Sequence, residues 1–537
     1  MKSVMSTKAA QAQQCYEDLL KQTGIEVNTP VIFNVDPKLQ VKMTAACFTH
    51  NPFPGILKPV LLSLRLKAVR RLFEEEKVLQ TGPAAAILAL DVVVSQEFGN
   101  KRSGKKRKSP VLCDVGLAGM QVIRLYMCAY EGNEDFIQAR YKSAIRVDNA
   151  LNGSFYKYRT KDDRMFSAHV YYESQKKKIM KTLGIRKDPD KFVFTSLPLD
   201  KITTAKAIEK WNGEELEEKV FADGACGCVL RSREEWENTL AGKAVCAMPL
   251  YRFTKVSDAE KKTFPGYDPE KGPLSGIKVL DLTHIIAGPA CTRLLAENGA
   301  DVLMIRRGIF TEQEQAMLEL DGWAGKHAIH LDFNVKEDLE RAKELIREAD
   351  VVVSSYQNGC LDHFGLSIDD IHALNPNVIY GSLVCFSDSV WKERPGWAPC
   401  AEDITGLSIR NGSEKKPENL NGVPLDYIPG MILYSGIVKA LQKQMEEGGA
   451  YTITGSLTRG GMWLHECTDL WEGKHLLVKH SQVLSGIEIP CWKSIFHKVE
   501  GTAAGDVYFP ACAAYEDGLD VYQNMKFDDG NTGFQSE

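Results

Sequence analysis

Between Gly276 and Phe386 the chain repeats one unit, an apolar strand followed by an amphipathic helix, and this alternation restricts the fold more than any other feature. GIKVLDLT (276–283) reads as a strand, PACTRLLAENG (289–299) as a helix closed by Asn298-Gly299, and ADVLMI (300–305) as a second strand. KEDLERAKELIREA (336–349) predicts a helix, ADVVVSSY (349–356) a strand buried on both faces, IDDIHALNP (368–376) a short helix and NVIYGSLVCF (377–386) a further strand. Strands joined through helices form right-handed βαβ units. The expectation is an α/β protein, with a Rossmann-like, doubly wound parallel sheet in a large domain and smaller α+β domains beside it. Such a sheet binds ligands beyond the carboxyl ends of its strands, where helix N-termini offer free N–H groups. THIIAGPA (283–290) is the first such place: Gly288 allows close backbone approach by a ligand, and Pro289 fits a first helical turn. No GxGxxG follows the strand, so dinucleotide binding lacks its usual mark.

The stretch KKTFPGYDPEKGPLSG (261–276), rich in Pro, Gly and charge, breaks the apolar periodicity. The expected organisation is an N-terminal helical segment (1–78), a small-domain-like region (79–262), the Rossmann-like domain (273–480) and a C-terminal tail (481–537). Within the first half, TGPAAAILALDVVVSQ (81–96) reads as a buried helix, SPVLCDVGLAGMQVIRLYM (109–127) as a strand leading into a helix, and NGEELEEKVF (212–221) as an amphipathic helix. Residues 79–127 and 425–465 share an order: Pro, apolar small-residue helix, charged Gly-containing turn, strand, Gly-Met helix. That order predicts a degenerate internal repeat. Asp426 of the second copy falls opposite Gln80 or Thr81 of the first, which lacks the acid. On residue type alone, an acid before an apolar helix is an N-cap.

A formal net charge of -5 over 537 residues points to neither nucleic acid nor an anionic membrane. No stretch approaches the roughly 18 uncharged apolar residues of a membrane span, and the N-terminus has no apolar h-region. The expected compartment is the cytoplasm, with the mitochondrion left open. The 14 cysteines are scattered; the one close pair, Cys226 and Cys228 in GACGCVL (224–230), lacks a second pair at zinc-finger spacing. Reduced, mostly buried thiols and no metal are therefore expected.

The segments PLSGIKVLDLTHIIAGPACTRLLAENGADVLMIRR (273–307), GKHAIHLDF (325–333), ADVVVSSYQNGCLDHFGLSIDDIHALNPNVIYGSLVCF (349–386) and GVPLDYIPGMILYSGIVKAL (422–441), in this order, closely resemble the family III CoA-transferases. That family includes formyl-CoA transferase, carnitine CoA-transferase and α-methylacyl-CoA racemase. YKYRTKDDRMFSAHVYY (156–172) and ELEEKVFADGACGCVLRSREEW (215–236) look like small-domain elements that come late in ordinary members, so the halves stand in the order of a longer subgroup.

The resemblance implies a CoA-transferase that moves CoA from an acyl-CoA to a carboxylic acid. The alternatives are a racemase-like acyl-CoA enzyme or a non-catalytic CoA-binding protein. Asp426 occupies the place of the family's nucleophilic aspartate, which implies an acyl-aspartyl anhydride followed by an aspartyl-CoA thioester. With an ordinary carboxylate pKa near ~3.9 it is expected to be ionised and to need no base. Coenzyme A, carried as the acyl-CoA substrate, is implied to lie along the strand ends, against the His284, Ile285, Ile286 and Ala287 turn. Arg307 is implied to meet a phosphate, Lys326 stands where the family often has a basic residue, and Ser355 and Tyr356 end the third strand. The racemase branch needs a histidine where Trp397 stands, which disfavours racemisation. Glu402 either orients Asp426 or is a solvated surface acid. The basic run GNKRSGKKRKSP (99–110) is read as a solvated or phosphate-attracting turn rather than a nuclear signal. Partners are expected to be small molecules, with a homodimer implied and a pseudo-dimer within one chain as the alternative.

Overall fold

Apolar side chains on every side of residues 81–99 leave that stretch no face to show to water, so it must lie between other elements. The structure, a computed structural model, describes residues 7–34, 76–104, 110–124, 129–132, 156–170, 173–185, 201–306, 320–387, 390–420, 422–471, 496–502, 505–510, 512–516 and 528–529. Helix α1 (Thr7–Thr23) and strand β1 (Val31–Asn34) precede α2 (Thr81–Ser103), which is buried from Thr81 to Gly99 except at two positions, Val92 and Glu97. Strand β2 (Val111–Asp114) runs parallel to β1 and passes directly into α3 (Val115–Gln121), whose N-cap Asp114 accepts a 2.8 Å bond from Leu117 N. After β3 (Ala129–Gly132), three short strands, β4 (Lys157–Arg159), β5 (Met165–Ala168) and β6 (Gly227–Val229), form a small antiparallel sheet with a core of its own.

The large sheet takes β7 (Tyr251–Lys255) and then the expected alternation: β8 (Lys278–Leu282), α4 (Ala287–Glu297), β9 (Asp301–Arg306), β10 (His327–His330), α5 (Lys336–Glu348), β11 (Val351–Ser354), α6 (Ile368–Leu374) and β12 (Ile379–Val384). Helix α7 (Ala398–Thr405), helix α8 (Pro424–Glu447), strand β13 (Tyr451–Ser456) and helix α9 (Leu457–Trp471) follow. The tail supplies β14 (Phe496–Thr502), β15 (Gly505–Pro510), β16 (Ala514–Glu516) and β17 (Asp528–Asp529). The order across the large sheet is β17-β10-β9-β8-β11-β12-β13-β7, parallel throughout except for the β13–β7 edge pair. Helices α4 and α8 cover one face and α5 and α6 the other, so the sheet is doubly wound. Strand order reverses between β8 and β11, which opens a crevice at the carboxyl ends of those two strands.

Strand pairing ties the halves together. β7 lies before the 261–276 break yet closes the large sheet, and tail strands β15 and β16 pair with β3 and β2. The two segments with the shared order both fold as helix, strand, helix: α2–β2–α3 and α8–β13–α9. Their long helices pack on each other, with Ser95 Oγ 2.6 Å from Tyr434 OH and Gln442 Nε2 donating to Val94 O at 3.1 Å. Both edge strands escaped the sequence reading because neither alternates: β7 buries only Tyr251 of its five residues, and β17 has two.

Of the basic run 99–110, residues 105–109 lie outside the described residues, but Arg102 has a defined role. Its guanidinium donates to four carbonyls of the 264–275 connector, Phe264, Pro265, Pro273 and Ser275, at 2.7–3.1 Å, and lies over the Tyr267 ring. At this residue the solvated or phosphate-attracting reading is replaced by a clamp holding the connector to α2. Arg102→Ala should lower stability by about 2–3 kcal/mol, since several charge-assisted bonds are lost at once. The check is the midpoint of urea unfolding, with Arg102→Lys recovering only part because a single ammonium cannot reach all four oxygens.

Candidate active site

The turn after β8 is built on a buried ion pair. Asp281 Oδ2 accepts from Lys326 Nζ at 2.7 Å and from Thr292 Oγ1 at 2.7 Å, and its other oxygen accepts from Thr283 N at 2.8 Å. Lys326 also donates to Pro289 O at 3.3 Å and to Thr292 at 2.6 Å, and its side chain has no exposed surface. This corrects the reading of Lys326 as a ligand-facing cation: the ammonium is consumed in propping the first turn of α4 from beneath. Gly288 is likewise close to protein rather than ligand. A Cβ there would lie 2.6 Å from Thr283 Cβ and 2.8 Å from Ser355 Cβ.

The remaining turn residues do converge at the crevice. Ser355 Oγ accepts from His284 N at 3.1 Å, and the His284 and Tyr356 rings stack at 4.6 Å. Burial pushes the His284 pKa down to about 4, so the imidazole is neutral. Ile285 sits at φ 71°, a left-handed conformation that costs a β-branched residue on the order of 1–3 kcal/mol and persists only where neighbours enforce it. The bonds at Thr283 and His284 provide that enforcement. Ile286 is buried and Ala287 part-exposed at the helix start. Arg307 lies outside the described residues; its neighbour Arg306 places its guanidinium 3.9 Å from the Trp323 ring centroid.

Asp426 meets this turn through helix packing. It lies in the first turn of α8, and one turn later Gly430 presses on α4, where a Cβ would come 2.4 Å from Ala287 O. Only a residue without a side chain permits that approach, so the acid and the β8–α4 turn are held about one helical turn apart. The cap at this helix is Val423, not Asp426, and Asp426 caps nothing with its side chain. Among the described residues no group donates a hydrogen bond to its carboxylate, which is 9% exposed. Burial, and then the charge of Glu402, push its pKa up to about 8. The expectation of an ordinary ionised carboxylate is therefore corrected: in the free protein at neutral pH this acid holds its proton.

Glu402 on α7 is not solvated. It is 3% exposed, and its Oε2 accepts from Asn419 Nδ2 at 2.8 Å and Leu420 N at 2.9 Å, while burial lifts its pKa to about 7. Beside it, Asp403 accepts from Lys157 and, at 2.6 Å, from Ser167 of the small sheet. Tyr427 OH donates to Asp321 Oδ2 at 2.8 Å, and Asp321 is ion-paired with Arg124 at the end of the first-copy unit. Gly422, at φ 83°, brings the loop before Asp426 against Ile123, and Val423 N donates to Val122 O at 3.2 Å. The N-terminal half thus supplies part of the wall around the acid. Sequence reading missed Arg124 and Asp321, and left open whether Glu402 is buried, because their partners lie in other segments of the chain.

A cleft of about 840 Å³ also opens at the carboxyl ends of β11, β12 and β13, on the face opposite α8. Ser354, Ser382, Thr454 and Arg252, in register across four strands, line it with Tyr356. Tyr356, stacked on His284, therefore borders both the crevice and this cleft.

Residues 274–493 match the model of CoA-transferase family III. An acyl-CoA transferase of Gibberella moniliformis is 28% identical over 354 residues, covering 63% of this chain and 61% of its own length. Acetyl-coenzyme A transferase of Hypoxylon pulicicidum is 26% identical over 356 residues, 62% of this chain and 59% of its own. A formyl-CoA:oxalate CoA-transferase of Escherichia coli is 32% identical over 197 residues, 34% and 47% respectively. The chain thus spans about half to three fifths of the length of these relatives. Among solved structures, a CaiB/BaiF family protein of Brucella suis aligns with a TM-score of 0.34 at 24% identity, covering 44% of this chain and 65% of that one. No described helix is long and apolar enough to cross a membrane.

The raised pKa of Asp426 makes a stability prediction. The folded protein keeps this proton up to about pH 8, whereas the unfolded chain releases it near pH 4, so stability falls as pH rises between those values. Asp426→Asn removes the titration and should stabilise the protein by ~2–4 kcal/mol at pH 8, with little difference at pH 4. The figure is below the full linkage because a helix N-terminus favours the anion and offsets part of the burial cost. Urea unfolding at the two pH values checks this; a loss of stability at pH 8 would restore the cap role.

Proposed function

We propose that this chain, whose residues 274–493 match the CoA-transferase family III model, transfers CoA from an acyl-CoA to a carboxylic acid, with Asp426 as the covalent nucleophile. One observation carries the reading: a nearly buried carboxylate without a hydrogen-bond donor among the described residues stands in the first turn of an otherwise apolar helix, one turn from the β8–α4 crevice.

In the proposed reaction, an Asp426 oxygen attacks the thioester carbonyl. The C–S bond breaks, CoA leaves as thiolate, and an acyl-aspartyl anhydride forms. The thiolate attacks the aspartyl carbonyl, releasing the donor acid with the bridging oxygen and forming an aspartyl-CoA thioester. The acceptor carboxylate attacks that thioester, and the returning thiolate takes the new acyl group, freeing Asp426 with an oxygen that came from the acceptor. Bonds of one type are exchanged throughout, so the sequence needs no ATP and no metal. Both intermediates hydrolyse readily, which suits a carboxylate walled by Glu402, the Gly422 loop and the first-copy unit. Coenzyme A is assigned to the His284–Ala287 turn and the Ser355–Tyr356 strand end; the substrate class is an acyl-CoA with an unspecified acid.

Only the anion attacks, so the rate of adduct formation should rise with pH and level off above about 8, about tenfold between pH 7 and that plateau. The test is turnover with a panel of acyl-CoAs and ¹⁸O-labelled acids, followed by peptide mass spectrometry. Label incorporated at Asp426, a hydroxamate there after hydroxylamine, and loss of both in Asp426→Ala with CoA binding kept are the expected results. CoA binding with no adduct across the panel would overturn the proposal. Exchange of α-protons with solvent deuterium, without movement of CoA, would assign a racemase-like reaction instead.

A further inference from the structure

Away from Asp426, one buried cluster has ligand chemistry that the transfer reaction leaves unused. His169, just past β5, Cys228 on β6 and Cys400 in the first turn of α7 place a ring nitrogen and two sulfurs within 4.8 Å of one another. All three residues are at most 1% exposed. Cys228 Sγ is 3.7 Å from His169 Nε2. Around a tetrahedral ion with a metal–nitrogen bond of ~2.1 Å and metal–sulfur bonds of ~2.3 Å, such atoms stand about 3.6–3.8 Å apart, so the spacing suits a common ligand sphere. Cys226 and Cys385 both reach the Cys400 thiol and are 0% and 6% exposed.

We propose that His169, Cys228 and Cys400 hold a zinc ion through one ring nitrogen and two sulfurs. Charge and softness favour this occupant. Zinc prefers thiolate and imidazole, and the Cys228 and Cys400 thiolates cancel its two charges, so no net charge is left in the interior by the three named ligands. A disulfide would use two of the sulfurs and leave the imidazole without a role. The ligands come from segments around 169, 228 and 400, which is why the spacing of Cys226 and Cys228 alone argued against a metal.

The site joins the small sheet to α7, the helix that carries Glu402 and Asp403. A metal here holds α7 to the small sheet on the same side as the contacts of Asp403 with Lys157 and Ser167, and so adds to what fixes Glu402 relative to Asp426. Because the ligands are closed to solvent, the ion is taken up as the chain folds and resists chelators afterwards.

The test uses the full-length protein expressed in medium with added zinc, or with cobalt in its place. One zinc per chain by elemental analysis after gel filtration in EDTA is expected. The cobalt form should show thiolate-to-metal charge transfer in the near ultraviolet and intense tetrahedral bands in the red. Cys400→Ser and His169→Gln should lose at least nine tenths of the metal, while Asp426→Asn keeps it. Folded wild-type protein with less than a tenth of an equivalent of zinc and no cobalt spectrum overturns the proposal. If the ligand variants do not fold, the wild-type metal content and cobalt spectrum decide the question alone.

Discussion

Everything around the candidate site depends on helix α8 having no polar side. Its residues from Pro424 to Val438 are all buried, so it needs apolar partners in every direction. The sheet covers one side, with Gly381 and Gly436 making room for Ile437 and Ile453, and α4 covers a second through Gly430. Helix α2, from the first half of the chain, covers a third. The central helix is therefore buried in part by the N-terminal half of the chain. A single acid placed on that helix inherits the same enclosure.

That enclosure sets the electrostatics. A carboxylate that water barely reaches, with Glu402 nearby and no donor among the described residues, keeps its proton at neutral pH. The helix N-terminus pulls the other way, toward the anion. The acid is thus balanced between two forms close to physiological pH, a condition common among reactive groups and rare among structural ones. Asp281 shows the contrast: fully buried, it is stabilised by Lys326, Thr292 and a backbone N–H, and it serves the architecture. The two acids differ because one site supplies donors and the other, among the described residues, does not.

The large sheet was legible because buried parallel strands must be apolar over their whole length and the helices between them must be amphipathic. Local pattern carries both facts, and the helix at 336–348, the strand at 351–354 and the strand at 379–384 lie where that pattern put them. Asp426 was legible for a related reason, as an acid at the start of an apolar run. The edge strands β7 and β17, the Arg102 clamp and Lys326 were not. Each is defined by a partner in another segment: β13 for Tyr251–Lys255, the 264–275 carbonyls for Arg102, Asp281 for Lys326. A basic residue reads the same in sequence whether its charge faces a ligand or a buried acid.

The sequence by itself determined the α/β alternation, the doubly wound sheet and the placing of an acid at the mouth of an apolar helix, because each follows from residue type at short spacing. Only the tertiary structure decided that this acid is protonated and uncapped and that Glu402 is buried beside it. It alone brought His169, Cys228 and Cys400 to one point. Burial and proximity between segments far apart in the chain fix those properties, and the surroundings that shift a pKa or complete a ligand set exist only after the chain has folded.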